Sequence, residues 1–168
     1  MTTHGTNGPT TRRRLRSTTV ATLALVVIFG LSATACSKAA GVRAMMTFKE
    51  ANKAYQGQDY KRSAPLYEET VKSNPDMAQV YFYLGNSYDN MYQPGVKNPG
   101  NDELMTKAVA NYQLAAEKLS TTNPSDAKLR TLSLQYLMAA YGSDKLNDPV
   151  KAEPIVIRLI QIDPAEPA

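Results

Sequence analysis

The feature that most constrains this 168-residue chain is a recurring pattern of small and large side chains at helical spacing. Residues at i, i+4 and i+7 lie on one face of an α-helix. Three segments carry such a face, formed by Ser63, Tyr67 and Thr70, by Ala108, Tyr112 and Ala115, and by Ala152, Val156 and Leu159. Recurrence of one helical unit along a chain indicates a repeat architecture, in which each unit packs on the next.

A glycine marks the helix that precedes the second of these segments, in the stretch YFYLGNSY at residues 81–88. Glycine inside a helix costs about 1 kcal/mol relative to alanine, so Gly85 needs a compensating contact. Two helices approach to the short end of the range of about 8–10 Å only where side chains are small. We therefore predict that Gly85 contacts Ala108 on the next helix. The predicted packing set is Tyr81, Leu84, Gly85, Tyr88, Ala108 and Tyr112.

The spacing Tyr81-x2-Leu84-Gly85-x2-Tyr88 resembles the tetratricopeptide repeat, whose pattern is W-x2-L-G-x2-Y on a period of about 34 residues. The likeness covers residues 44–164, divided into repeats at about 44–77, 78–125 and 126–164. It implies an all-α solenoid of about three antiparallel helix pairs. The expected helices are 44–56, 60–73, 78–91, 102–119, 126–141 and 149–162.

Residues 93–102, QPGVKNPGND, interrupt the second repeat with two Pro-Gly dipeptides and no apolar periodicity. This composition predicts a loop between the two helices of that repeat. An inserted loop can bind a partner, or it can be an insertion without a function that the fold tolerates. The sequence leaves both interpretations open. Further on, Asp148 followed by Pro149 predicts a helix N-cap and a proline in the first turn.

The first 35 residues combine four arginines, an apolar run at 20–31 and small residues before Cys36. This order is typical of a secretory signal peptide, and the run is shorter than the roughly 20 residues of a membrane span. The stretch SATAC resembles a bacterial lipobox, which implies lipidation of Cys36, although Ala33 stands where leucine is favoured. Residues 36–43 would then be the lipidated cysteine and a linker, and 165–168 a tail. A secreted protein with a free thiol and a retained anchor are the alternatives.

The charge balance removes several function classes. All four residues that make the chain net positive precede Cys36, and the rest carries 15 basic and 15 acidic residues. This neutrality gives no reason to expect nucleic acid as a partner. The single histidine, His4, belongs to the leader, and lipidation would consume Cys36. The mature chain would then lack the imidazole and thiol groups that Ser-His-Asp hydrolases, cysteine nucleophiles and zinc sites use. We expect no catalytic activity, no metal and no cofactor.

The resemblance also implies a concave groove lined by the first helix of each repeat, where proteins of this kind bind peptides. The groove positions would be Phe48, Asn52, Tyr55, Phe82, Asn86 and Asp89. An asparagine side chain can both donate to and accept from a peptide backbone. Phe48 and Phe82 stand where members that clamp a terminal carboxylate need lysines, so the resemblance favours a ligand segment with apolar or aromatic side chains.

Together these features predict a non-enzymatic, lipid-anchored interaction scaffold of the bacterial cell envelope that faces the periplasm. Ser37 after the cysteine favours the outer membrane over the inner one. The last helix is apolar on most sides at 155–162, which predicts that a further repeat, a partner or a second copy covers it. The alternative is an accessory N-terminal region of a longer enzyme, or of an envelope-assembly or secretion protein, whose active part lies beyond residue 168.

Overall fold

The computed structural model describes Met1 and residues 40–164, and this part of the chain contains helices and no strand. The helices are α1 (40–56), α2 (Tyr60–Ser73), α3 (Ala78–Met91), α4 (Pro99–Lys118), α5 (Pro124–Ala140) and α6 (Pro149–Ile162). The predicted all-α class is confirmed. The predicted signal peptide, the lipidation site at Cys36 and the tail at 165–168 lie outside the described residues.

Side-chain caps determine where most of these helices begin. Asp148 accepts a hydrogen bond from the backbone N–H of Lys151 at 3.2 Å, with Pro149 in the first turn, as the sequence predicted. Asn98 caps α4 in the same way, and Asn123 caps α5. An Asn-Pro pair supplies both a capping oxygen and a residue whose φ already suits a helix.

The structure corrects three predicted boundaries, two of them at these Asn-Pro pairs. Helix α4 begins at Pro99, so residues 99–102 belong to a helix and the inserted loop is shorter than expected. Helix α5 begins at Pro124, two residues earlier than predicted. The predicted linker 36–43 is also too long, because residues 40–43 already belong to α1. In all three cases the helix begins earlier than predicted and includes residues that had been assigned to a loop or linker.

The connections inside the first and third helix pairs, residues 57–59 and 141–148, differ in length but end in the same way. Gln58 and Asn147 are the non-glycine residues with positive φ, at 58° and 49°, among the described residues. Each immediately precedes an aspartate, Asp59 or Asp148, that caps the second helix of its pair. The second helix of each of these pairs therefore begins after the same two-residue pattern.

Consecutive helices pack on one another from α2 to α6, as expected for a helical repeat. Helix α3 also contacts α5, whereas the described residues of α2 and α4 form no comparable direct contact. The first helices of the pairs therefore adjoin one another and form one layer, with the second helices outside them. This inner layer is the surface on which a groove would lie.

The close approach predicted at Gly85 is present. A Cβ built on Gly85 would lie 3.1 Å from the carbonyl oxygen of Ala108 and 3.0 Å from Cδ1 of Tyr112. Ala108 and Tyr112 are fully buried, and the remaining members of the predicted packing set are buried around them: Tyr81, Leu84 and Tyr88. The absent side chain lets α3 and α4 come together, as the sequence argument required.

Helix α6 buries only part of its apolar surface. Ile155 and Leu159 are buried, whereas Ile157, Ile160 and Ile162 are exposed. Within residues 40–164 no helix combines the length and the hydrophobicity that crossing a bilayer requires.

Candidate functional site

A continuous series of aromatic rings runs across the inner layer, from α1 through α3 to α5. We call it the aromatic row and define it as Phe48, Phe82, Tyr83 and Tyr136. The ring centroids are 6.4 Å apart between Phe48 and Tyr83, 5.3 Å between Tyr83 and Phe82, and 5.9 Å between Phe82 and Tyr136. These distances are those of favourable aromatic pairs, so the row links all three repeats through ring contacts.

Two tyrosines of the row rest on buried tyrosines of the second helices. Tyr83 stacks on Tyr67 with centroids 5.9 Å apart and ring planes at 18°. Tyr136 stacks on Tyr112 at 5.5 Å and the same angle. Tyr67 and Tyr112 are fully buried. Each stack contributes about 0.5–1.5 kcal/mol beyond burial and fixes the orientation of the inner ring.

Asparagines of the first helices hold the buried tyrosines in place. The hydroxyl of Tyr67 donates to Oδ1 of Asn52 at 2.7 Å. In the second repeat Nδ2 of Asn86 donates to the hydroxyl of Tyr112 at 3.2 Å. Asn52 and Asn86 are one repeat length apart, so the same device recurs with the direction of the hydrogen bond reversed.

Asn86 belongs to a larger buried polar network. Its Oδ1 accepts from the hydroxyl of Tyr55 at 2.7 Å, and the hydroxyl of Tyr112 donates to Oδ2 of Asp89 at 3.2 Å. Lys145, in the loop between α5 and α6, forms an ion pair with Oδ1 of Asp89. The network therefore connects α1, α3, α4 and the α5–α6 loop, and its polar groups satisfy one another away from water.

Burial in this network keeps the phenols protonated. Burial, then the charge interaction with Tyr60, raises the pKa of Tyr55 to about 12. Burial, then the neighbouring Asp89 carboxylate, raises the pKa of Tyr112 well above its usual range. A phenol held in its neutral form donates and accepts hydrogen bonds but does not exchange a proton near neutral pH. Near neutral pH these phenols therefore act as neutral hydrogen-bonding groups.

Three of the six predicted groove residues are not available to a ligand. Phe82, Asn86 and Asp89 are buried, with Asn86 only 4% exposed. The prediction that Asn86 offers a free amide to a peptide is wrong, because the hydroxyls of Tyr55 and Tyr112 already occupy it. Phe48, Asn52 and Tyr55 are half-buried, so they retain some accessible surface.

Sequence reasoning missed the two residues that present the row to solvent, Tyr83 and Tyr136. Tyr83 is half-buried and Tyr136 is 38% exposed. Neither hydroxyl has a hydrogen-bond partner among residues 40–164. The repeat alignment contained the signal, because each tyrosine follows by two residues a position aligned with the family's tryptophan, Tyr81 or Leu134.

The inserted loop of the second repeat is fastened by one buried asparagine. The side chain of Asn101 accepts from the backbone N–H of Gln93 at 2.8 Å and donates to the carbonyls of Gln93 and Val96 at 2.9 and 2.8 Å. Gly95 has a φ of +81°, which glycine adopts at no steric cost. The insertion is thus a defined turn held against the start of α4.

No family model matches this chain, and neither does any curated protein. The likeness to the tetratricopeptide repeat therefore rests on the residues and contacts of the chain itself.

Proposed function

We propose that this chain is a non-catalytic scaffold of the tetratricopeptide-repeat type, which binds an extended protein segment along the aromatic row. One observation carries the proposal. Tyr83 and Tyr136 occupy equivalent places in successive repeats, each backed by a buried tyrosine and each with a hydroxyl that no described residue engages. Repeated, rigid and partly exposed aromatic groups are what an interaction surface needs.

The chemistry of the row indicates the class of segment. Ring faces of Phe48, Tyr83 and Tyr136 offer apolar contact, while the two hydroxyls can donate to the carbonyls of an extended backbone. Rows of aromatic side chains are used elsewhere to bind extended segments that are rich in proline or apolar residues. The ligand we propose is therefore an internal, extended segment with apolar or aromatic side chains, rather than a charged chain terminus.

We further propose that the scaffold is a lipoprotein of the bacterial envelope, anchored through Cys36 and facing the periplasm, with the outer membrane favoured. The arginine cluster, the apolar run and the small residues before Cys36 support this placement. Anchoring would keep the row close to the membrane, where it would gather other envelope proteins. The mass of the protein extracted from cell membranes tests the anchor, because lipidation at Cys36 removes residues 1–35 and adds acyl chains.

A crosslinking experiment with a matched control tests the binding site. A photo-reactive phenylalanine analogue replaces Tyr136 in one full-length variant and Leu114 in another. Leu114 is 37% exposed, almost the same fraction as the 38% of Tyr136, but it lies on α4 outside the row. We expect a discrete adduct in intact cells from position 136 and none of the same mass from position 114.

The partner segment identified in that adduct is then synthesised and titrated against the purified protein. Tyr136→Ala should weaken its binding about tenfold, and Leu114→Ala should leave it unchanged. Equal adducts from both positions, or an affinity that Tyr136→Ala does not alter, would contradict the proposed site.

A further inference from the structure

Helix α1 has an exposed face that the packing of the repeats does not use. Val42, Met45 and Met46 are all exposed, with Met46 at 71%. The opposite face of the same helix is buried, with Ala44 and Ala51 at 0%. Large flexible apolar side chains in water are costly unless something covers them, and methionines adapt readily to an irregular apolar surface.

The same face becomes basic farther along the helix. Lys49 and Lys53 follow Met46 at spacings of three and seven residues, so the three side chains share a face. The neighbouring acidic residue is already neutralised, because Glu50 pairs with Arg62 at 2.7 Å. Neither lysine takes part in an ion pair of the described residues. The face therefore has an apolar end and an uncompensated positive end.

We propose that this face of α1 lies on an anionic lipid surface. The inference rests on the proposed anchor at Cys36, which precedes the described start of α1 by four residues. Four extended residues span at most about 14 Å, so lipidation would bring the apolar end to the bilayer. Val42, Met45 and Met46 then enter the interface, and Lys49 and Lys53 reach the phosphates, as in an amphipathic helix bound parallel to a membrane.

Charge and position favour a lipid surface here over the other exposed apolar helix face. The exposed isoleucines of α6 stand at the opposite end of the repeats, beside Glu153 and Asp163. On α1 the apolar residues adjoin the anchor and are followed by lysines on the same face. Arg43 on the same helix pairs with Glu69 at 2.6 Å, so Lys49 and Lys53 are the cations of α1 that no ion pair among residues 40–164 engages.

The absence of tryptophan from the sequence makes the test direct. The full-length variant Met46→Trp, purified from the membranes of producing cells, carries one tryptophan on the proposed face. The variant Ile157→Trp carries one on α6, at a residue that is also exposed. Each is reconstituted into vesicles of phosphatidylglycerol and phosphatidylcholine, with and without brominated acyl chains, and into phosphatidylcholine vesicles.

We expect brominated lipid to quench Trp fluorescence strongly in Met46→Trp and hardly at all in Ile157→Trp. In Met46→Trp, quenching should be stronger in vesicles that contain phosphatidylglycerol than in vesicles of phosphatidylcholine alone. Adding Lys49→Gln and Lys53→Gln should reduce this difference about tenfold. The matched pair Lys61→Gln and Lys128→Gln, on α2 and α5, should not change it. Unquenched fluorescence from Met46→Trp, or equal quenching in both variants, would overturn the inference.

The anchor and the inference fail in distinguishable ways. If the measured mass shows that the protein is lipidated and the protein floats with vesicles, but Met46→Trp is not quenched, the inference is overturned and the proposed anchor is supported. If the protein carries no lipid but the tryptophan of Met46→Trp is still quenched, only the proposed anchor is overturned. Shielding of that tryptophan in cell membranes but not in vesicles would assign the face to a protein partner and would also overturn the inference.

Discussion

Asp89 on α3 and Lys145 in the loop between α5 and α6 form an ion pair that is largely removed from water, with side chains 6% and 22% exposed. The residues are 56 positions apart, and the pair ties the third repeat to the second. The carboxylate also accepts from the hydroxyl of Tyr112, so it shares the network that supports the aromatic row.

Removal of Lys145 should therefore destabilise the fold. Lys145→Met leaves a buried carboxylate without its cation, which we expect to lower the free energy of unfolding by about 2 kcal/mol. The control is Lys151→Met, whose pair with Asp148 is exposed and should matter little. Urea unfolding followed by circular dichroism measures both. Equal effects of the two substitutions would contradict the importance assigned to the Asp89 pair.

A methyl group at position 85 should also be destabilising. Gly85→Ala gains helix propensity but places Cβ within 3.1 Å of the carbonyl of Ala108 and of the ring of Tyr112, and both residues are fully buried. We expect a net loss of about 1–2 kcal/mol on unfolding. Gly100→Ala, where Cβ meets only the side chain of Asn98 at 3.5 Å, should be neutral or slightly stabilising. A stabilised Gly85→Ala variant would refute close packing of α3 on α4.

Loss of the Asn101 side chain should loosen the inserted loop. Asn101→Ala removes three hydrogen bonds that hold Gln93 and Val96, so the segment before α4 should become more accessible to protease. Asn111→Ala, which removes only a bond to a carbonyl one turn earlier in α4, is the control. Limited proteolysis with mapping of the first cut is the measurement. An unchanged cleavage rate at 93–98 in Asn101→Ala would count against the fastening role.

Stability should fall at alkaline pH. The pKa of Tyr55 is raised from 10.0 to about 12, mainly by burial, and the pKa values of Tyr67 and Tyr112 are raised also. Because the folded chain holds these phenol protons more tightly than the unfolded chain, their contribution is complete below pH 10. It is lost as the pH rises from 10 towards 12.

Urea unfolding at a series of pH values, with phenolate absorbance recorded in parallel, measures this loss. Tyr55→Phe should show a smaller decrease between pH 10 and 12, since one of the perturbed groups is gone. Stability independent of pH across this interval would show that the buried phenols titrate normally.

Local signals in the sequence determined the positions of the helices and one of their contacts. Helices α2, α3 and α6 begin and end where they were predicted. Asp59 and Asp148 cap α2 and α6, whereas α3 begins without a side-chain cap. The contact between Gly85 and Ala108 could also be predicted, because a glycine inside a helix has no side chain to keep a neighbouring helix away. The starts of α4 and α5 were misplaced because two Asn-Pro pairs were read as loop.

Only the tertiary structure decided which polar and aromatic groups face solvent. Asn86 looked accessible on its own helix, yet the hydroxyls of Tyr55 and Tyr112, 31 and 26 residues away, meet at its amide and bury it. Tyr83 and Tyr136 were not singled out from the sequence, yet their rings lie on top of buried tyrosines and stay partly open. Helical periodicity assigns a side chain to a face, but which part of that face is covered depends on side chains that arrive from distant helices.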